Sequence, residues 1–260
     1  MDPYIFQSQA EDRELHRLKL IEDAFDAASI ACLKKTNIQT GWRCLEIGPG
    51  AGSILSWMEE KAGPGGRVVG IDKNTQYIQN RNSPPFDIIQ GDFSDLTFNE
   101  PFHVVHARYV LIHNHEAREM IPKIKQALKP GGLAVLEEPD FTVATFLNNP
   151  ADHAQARVNR AICKMFSNLD LNPAYGLTLP QKLTAAGFEV LEVISRLHLA
   201  PGLSPVAKVM GASAAALRAP YLATGEANKP DLDQYIANTQ NPEYWTVYYS
   251  TISVIARKPL

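Results

Sequence analysis

The residues with the most chemical content stand between positions 45 and 53: Leu45-Glu46-Ile47-Gly48-Pro49-Gly50-Ala51-Gly52-Ser53. An apolar run precedes them and an amphipathic run follows, which predicts a strand, a tight turn and a helix start. Alternate glycines let a backbone bend sharply and approach a ligand closely. A dinucleotide turn places its glycines at positions one, three and six. Here Ser53 takes the sixth position and Gly52 comes one residue early. Glu46 ends the strand, where a carboxylate would oppose a pyrophosphate but suit a cationic ligand. The implied chemistry is recognition of a positively charged small molecule. The structural alternative is a strand-to-helix turn with no ligand.

Two more acids stand at comparable places. Asp72 closes the run Val68-Val69-Gly70-Ile71-Asp72, 26 residues after Glu46. An acid there takes both ribose hydroxyls and repels the extra phosphate of NADP, which Lys73 alone hardly reverses. It also suits a helix N-cap. Asp92, in Gln90-Gly91-Asp92-Phe93, can accept from the exocyclic amine of adenine or serve as a turn residue. Phe93 can stack on the ring or belong to the core. S-adenosylmethionine carries a sulfonium, an ammonium and an adenosine without phosphate, so it fits this set.

The pattern Glu46-x-Gly48-x-Gly50-x-Gly52, Asp72, Gly91-Asp92 and Lys129-Pro130-Gly131-Gly132 resembles the class I S-adenosylmethionine-dependent methyltransferases over about residues 40 to 140. More loosely, Tyr4-Ile5-Phe6, His106-Ala107-Arg108-Tyr109-Val110-Leu111 and Glu137-Glu138-Pro139-Asp140 look like a microbial small-molecule subgroup. The resemblance implies an α/β fold: a doubly wound, seven-stranded, mostly parallel Rossmann-like sheet with an N-terminal and an inserted helical cap. The last strand would be antiparallel and lie beside the sixth. It implies S-adenosylmethionine as cofactor, held by Glu46, Gly48, Gly50, Gly52, Ser53, Asp72, Lys73, Asp92 and Phe93. Ala107 would keep the contact small after the fourth strand.

Methyl transfer is an in-line displacement on an already activated cofactor, so the protein supplies orientation, water exclusion and sometimes a base. Arg108 either holds a carboxylate or makes a structural ion pair. His113 is expected to begin the helix after the fourth strand, as a base for a hydroxyl or amine acceptor or as a solvated helix-end histidine. Glu137, Glu138 and Asp140 are expected to follow the fifth strand, with Glu138 near the acceptor or the cluster acting as a loop cap. Acids are missing after the fourth strand, so no metal site is expected. His106 is read as packed or cofactor-adjacent, His103 as exposed and His115 as surface. Asn82-Ser83-Pro84-Pro85-Phe86 resembles an amino-methylating motif but stands before the third strand.

Strands are predicted at 42–47, 67–71, 86–90, 102–107, 133–137, 188–199 and 244–256. Helices are predicted at 10–35, 52–61, 74–80, 116–128, 154–168, 177–186, 204–223 and 231–239. Such alternation marks a sheet wound on both faces, with ligands beyond the carboxyl ends of its strands. The chain is read as one domain over 1–260: an N-terminal cap at 1–39, a cofactor core at 40–140, and sheet completion with a substrate cap at 141–260. Tyr4, Phe6, Phe141, Phe146, Phe166, Tyr175, Met210 and Tyr221 give the cap an apolar and aromatic cast, as pocket wall or as core.

The whole chain of 260 residues carries 25 Lys and Arg against 28 Asp and Glu, a formal net charge of −3. A duplex-binding surface needs cationic excess, so no nucleic-acid partner is expected. No run reaches the roughly 20 apolar residues of a membrane span. Cys32, Cys44 and Cys163 are odd in number and far apart, which favours a reduced, cytoplasmic setting. The expected partner is a small-molecule methyl acceptor with O-methylation favoured, and a homodimer is open to the chain. The rivals are a nicotinamide oxidoreductase and a non-methylating relative that retains the cofactor.

Overall fold

The computed structural model describes residues 11–79, 87–114, 117–147 and 153–260. Tyr4-Ile5-Phe6, the 82–86 motif and His115 lie outside the described residues. The order is α1 (Glu11–Lys34), β1 (Arg43–Ile47), α2 (Ser53–Ala62), β2 (Arg67–Asp72), α3 (Gln76–Gln79), β3 (Asp87–Gln90), β4 (Phe102–Arg108), α4 (Ala117–Ala127) and β5 (Leu128–Asp140). Then come α5 (Val143–Leu147), α6 (His153–Asn168), α7 (Tyr175–Ala185), β6 (Glu189–Pro201), α8 (Pro205–Ala216), α9 (Arg218–Ala223), α10 (Lys229–Thr239) and β7 (Trp245–Arg257). Two 3₁₀ turns, Phe93–Asp95 and Leu111–His113, flank β4.

One seven-stranded sheet runs in the order β3-β2-β1-β4-β5-β7-β6. The β1–β2, β1–β4, β2–β3 and β4–β5 pairs are parallel. The order reverses between β1 and β4, the switch point where such sheets bind ligands. β7 stands between β5 and β6, as the family resemblance implies.

Two expectations change here. The fifth strand runs on to Asp140 rather than ending at Glu137, so Glu138 and Asp140 lie inside it rather than after it. The Lys129-Pro130-Gly131-Gly132 run still turns the chain, with Gly131 at φ +76°, but its backbone already bonds the end of β7: Gly131 N–H donates to Lys258 O at 2.9 Å. The helix expected over 204–223 is two helices, parted at Leu217. Pro220 explains the break, since it has no N–H for the carbonyl four residues earlier and its ring crowds that carbonyl.

The chain divides into two compact units. One comprises residues 25–138, 178–194 and 252–260, the other 1–24, 139–177 and 195–251. This cuts across the three segments expected from sequence, because α1, β5, β6 and β7 each contribute residues to both units. We call them the sheet unit and the cap unit.

In the sheet unit, Phe25, Ser29, Cys32, Leu33 and Thr36 recur at helical spacing and are buried. Cys32 and Leu33 join Cys44, Ile54, Leu55, Met58, Val68, Val104 and Val135 in one apolar cluster. Each large side chain so buried contributes about 1.5–3 kcal/mol. Cys44 pairs with Val104 in register, so β1 and β4 present the same face to this cluster.

Candidate functional site

The turn after β1 needs its glycines. Gly48, Gly50 and Gly52 have φ of +66°, +59° and +87°, a region costly to residues with a Cβ. At Gly48 an added Cβ would also lie 2.5 Å from Val110 Cγ2. The turn is tied to the second strand by Gly48 N–H to Ile71 O at 2.8 Å, and Ser53 opens α2.

Strand register explains what surrounds the turn. Glu46 is opposite His106, and Arg108 is opposite Glu137. Period-two alternation therefore puts Glu46, His106, Arg108 and Glu137 on one face. His106 is fully buried, with Nδ1 3.2 Å from Glu46 Oε1 and Nε2 3.2 Å from Glu137 Oε1. Ser253 Oγ donates to Glu137 Oε2 at 2.7 Å. Arg108 pairs with Asp26 at 2.9 Å and donates to Ser29 Oγ at 2.9 Å. Burial opposes charge on His106, and the two carboxylates outweigh it and raise its pKa. Burial likewise opposes ionisation of Glu137, yet the hydrogen bond and charge of His106 hold it at about 2. Burial raises the pKa of Glu46. Its second oxygen, Oε2, is buried and has no hydrogen-bond partner among the described residues.

The Arg108 guanidinium is engaged by Asp26 and Ser29, which is the structural ion-pair alternative. Glu138 takes the loop-cap alternative. Its carboxylate accepts the N–H groups of Val110, Leu111 and Ile112 at 3.0, 2.8 and 3.1 Å, and it is fully buried. It braces the turn after β4. Burial still lifts its pKa to about 8. His113 closes this 3₁₀ turn and does not begin the helix, which starts at Ala117. Tyr109, at φ +57°, enters the turn in the left-handed region, its ring edge-on to Phe25 at 5.4 Å.

Asp72 is largely buried, accepts Asn74 N–H at 2.9 Å, and is pushed by burial to about 6. Asp92 caps the next turn by accepting Ser94 N–H at 2.9 Å. Burial opposes its ionisation, but Lys73, 2.8 Å away, and the Ser94 N–H bring its pKa below the usual value. Lys73 is therefore paired with Asp92. Phe93 is buried and stacks on Phe98 at 6.2 Å, which takes the core alternative rather than the adenine-stacking one. Ala107 is fully buried between Ile47 and Leu136 in register. His103, expected to be exposed, accepts Arg43 N–H at 3.0 Å and stacks on Trp42.

The sequence reading missed the Glu46–His106–Glu137 chain. The available signal was His106 at an inward position of an otherwise apolar strand. Among the described residues, no group of three or more His, Cys, Asp or Glu is arranged to hold a metal, and no helix is long and apolar enough to cross a membrane.

In the cap unit, Phe141 stacks on Phe166 at 5.4 Å and meets Tyr249 at 5.1 Å, and His198 lies 4.8 Å from Tyr249. His198 Nε2 is 2.7 Å from Thr251 Oγ1, and burial lowers its pKa to about 4. Tyr175, Met210 and Tyr221 are buried, whereas Phe146 is 83% exposed.

The methyltransferase-domain family matches residues 12–193. An uncharacterised 37.1 kDa protein of transposon TN4556 from Streptomyces fradiae is 25% identical over 198 residues, 73% of this chain and 56% of that protein. The chain thus spans about half the length of that curated relative. Among solved structures, a mycolic acid cyclopropane synthase complexed with S-adenosylhomocysteine superposes with a TM-score of 0.63 at 17% identity, covering 99% of each chain. The Haemonchus contortus phosphoethanolamine N-methyltransferase 2, complexed with S-adenosyl-L-methionine, gives 0.60 at 17% identity, over 99% of this chain and 59% of that one. With the family match covering well over half of its length, the chain belongs to the class I S-adenosylmethionine-dependent methyltransferases.

Proposed function

We propose that this protein transfers the methyl group of S-adenosylmethionine to a small, weakly polar or aromatic metabolite, with oxygen the favoured acceptor atom. The observation that carries the cofactor site is the three-glycine turn beside a buried carboxylate oxygen with no partner. An ammonium group is the natural complement of Glu46 Oε2. The turn at Gly48, Gly50, Gly52 and Ser53 is assigned the methionine half. Asp72 is assigned the ribose hydroxyls and Asp92 the adenine amine. The cofactor supplies an electrophilic methyl group on a cationic sulfur, so the chain's own residues need only orient the partners, exclude water and take a proton. Glu138 holds the turn that carries His113, and His113 is assigned the proton of the acceptor hydroxyl. The aromatic interior of the cap unit supports an acceptor of low charge.

Calorimetric titration tests the cofactor assignment: S-adenosylhomocysteine should bind and NADH should not. The reverse result would support a nicotinamide enzyme. Labelled cofactor incubated with a metabolite extract should then yield a labelled product whose methyl carbon is bonded to oxygen. With that product in hand, His113→Ala should lower kcat by about 100-fold, within the usual range for a general base, and flatten the acid limb of the rate profile. Unchanged turnover at limiting pH removes His113 from the mechanism.

A further inference from the structure

The buried chain of charges poses a counting problem. Both ring nitrogens of His106 face carboxylate oxygens at 3.2 Å. A neutral imidazole has one N–H and one lone pair, and an ionised carboxylate only accepts. The two contacts are both hydrogen bonds only if the Glu46–His106–Glu137 set holds one additional proton, and with Glu137 held ionised that proton belongs to the Glu46–His106 pair. With that proton, Asp26, Arg108, Glu137, His106 and Glu46 together carry a net charge of −1. Glu137 is fully engaged by His106 and Ser253 and Arg108 by Asp26 and Ser29, and Glu46 Oε1 is taken by His106. The remaining negative charge therefore has one open position, Glu46 Oε2.

We propose that His106 is a positioning residue for cofactor binding: wedged between Glu46 and Glu137, it fixes the Glu46 carboxylate so that Oε2 alone receives the cofactor's ammonium group. This rests on the cofactor assignment above. The groups around the imidazole come from every strand and helix that meets it in this network: Glu46 on β1, Arg108 on β4, Glu137 on β5, Ser253 on β7, and Asp26 and Ser29 on α1. An ammonium at Oε2 draws the shared proton toward the imidazole, because a cation beside the carboxylate favours its ionised form. The bound state is then a run of alternating charges in which each carboxylate faces a cation.

The test compares two probes that differ in the ammonium. S-adenosylhomocysteine carries it, and 5′-methylthioadenosine keeps the adenosine and sulfur without the amino-acid half. In His106→Gln the affinity for S-adenosylhomocysteine should fall about 10- to 100-fold, the range of one charge-assisted hydrogen bond, while 5′-methylthioadenosine binds as it does to the unaltered protein. Equal losses for both probes, or no loss for either, overturn the proposal. If the unaltered protein binds neither probe, the cofactor assignment itself fails, which is a distinguishable result. Should the variant not fold, nitrogen NMR of the histidine-labelled protein with S-adenosylhomocysteine bound decides the matter. His106 should show two protonated nitrogens at neutral pH, and a neutral-tautomer spectrum would sink the idea.

Discussion

Glu46, His106, Glu137 and Glu138 are sealed inside the sheet unit, whereas the buried polar groups of the cap unit are mostly neutral: Gln155, Asn159, Tyr221, Tyr235, Asn238 and Tyr248. The exceptions in the cap are Glu14 with Arg17, paired at 2.7 Å, and the acids Asp140 and Asp231. Burying charge is costly unless each group is paired or hydrogen-bonded, and a hydrophobic replacement is often no less stable. Four ionisable groups kept together in this way therefore point to a use beyond stability. In the sheet unit the use we propose is to hold a fixed, charged ligand. In the cap unit the buried polar groups are mainly hydroxyls and amides, which carry no charge to be neutralised.

The largest expected effect breaks the charged side of this contrast. Arg108→Met would leave Asp26 without its cation and remove one of the two positive charges near Glu137. Removing one partner of a buried pair costs about 3–5 kcal/mol. Urea unfolding should show a loss in that range. A loss below about 1 kcal/mol would mean that the network is solvated and that the two interiors do not differ in kind.

Glu137→Gln should be nearly as large, and its pH dependence identifies the cause. The folded pKa of Glu137 is about 2 against an ordinary 4.5. A depressed carboxylate stabilises the fold above the unfolded pKa, and that stabilisation disappears as pH falls through the folded one. The gap between the unaltered protein and the variant should be about 3 kcal/mol at pH 6 and should close between pH 4.5 and pH 2. A pH-independent gap would assign the effect to packing.

These variants also mark what was legible in the sequence. The glycine turn and the acids Glu46, Asp72 and Asp92 could be found because each lies within a few residues of its own strand end. The sheet and its β7 insertion followed from alternation and resemblance. The His106 network could not be found that way, because it joins residues 26, 29, 46, 106, 108, 137 and 253 through strand register and one helix face. Glu138 falls outside the predicted strand for a related reason. Acids are poor strand formers on average, but a tertiary partner for each carboxylate overrides that preference. The roles of Arg108 and Glu138 likewise depend on groups 82 residues upstream and 26 to 28 residues upstream, which local spacing does not report.

The neutral interior of the cap should be more forgiving. The Tyr248 hydroxyl is buried and accepts or donates no hydrogen bond among the described residues, and burial raises its pKa to about 12. Removing an unpaired buried hydroxyl relieves a desolvation cost instead of breaking a bond. Tyr248→Phe should change the midpoint of urea unfolding by less than the equivalent of about 1 kcal/mol, in the stabilising direction. A loss of 2 kcal/mol or more would show that the cap interior is held by polar bonds much as the sheet interior is.

The smallest effect is expected where the cap does carry charge at its surface. Arg160 and Glu226 are 3.2 Å apart, with side chains 50% and 38% exposed. Water and salt screen such a pair, and ordering two long side chains offsets most of what the attraction contributes. Arg160→Met should therefore alter stability by about 0.5 kcal/mol or less, and raising salt from 0.05 to 0.5 M, a roughly threefold shorter screening length, should erase the difference. Arg108→Met, measured across the same salt range, should keep most of its effect, because salt does not enter a buried network. If the two arginines respond alike to salt, the contrast between the interiors is one of exposure only, and the charged chain beneath the glycine turn loses its claim to be built for a ligand.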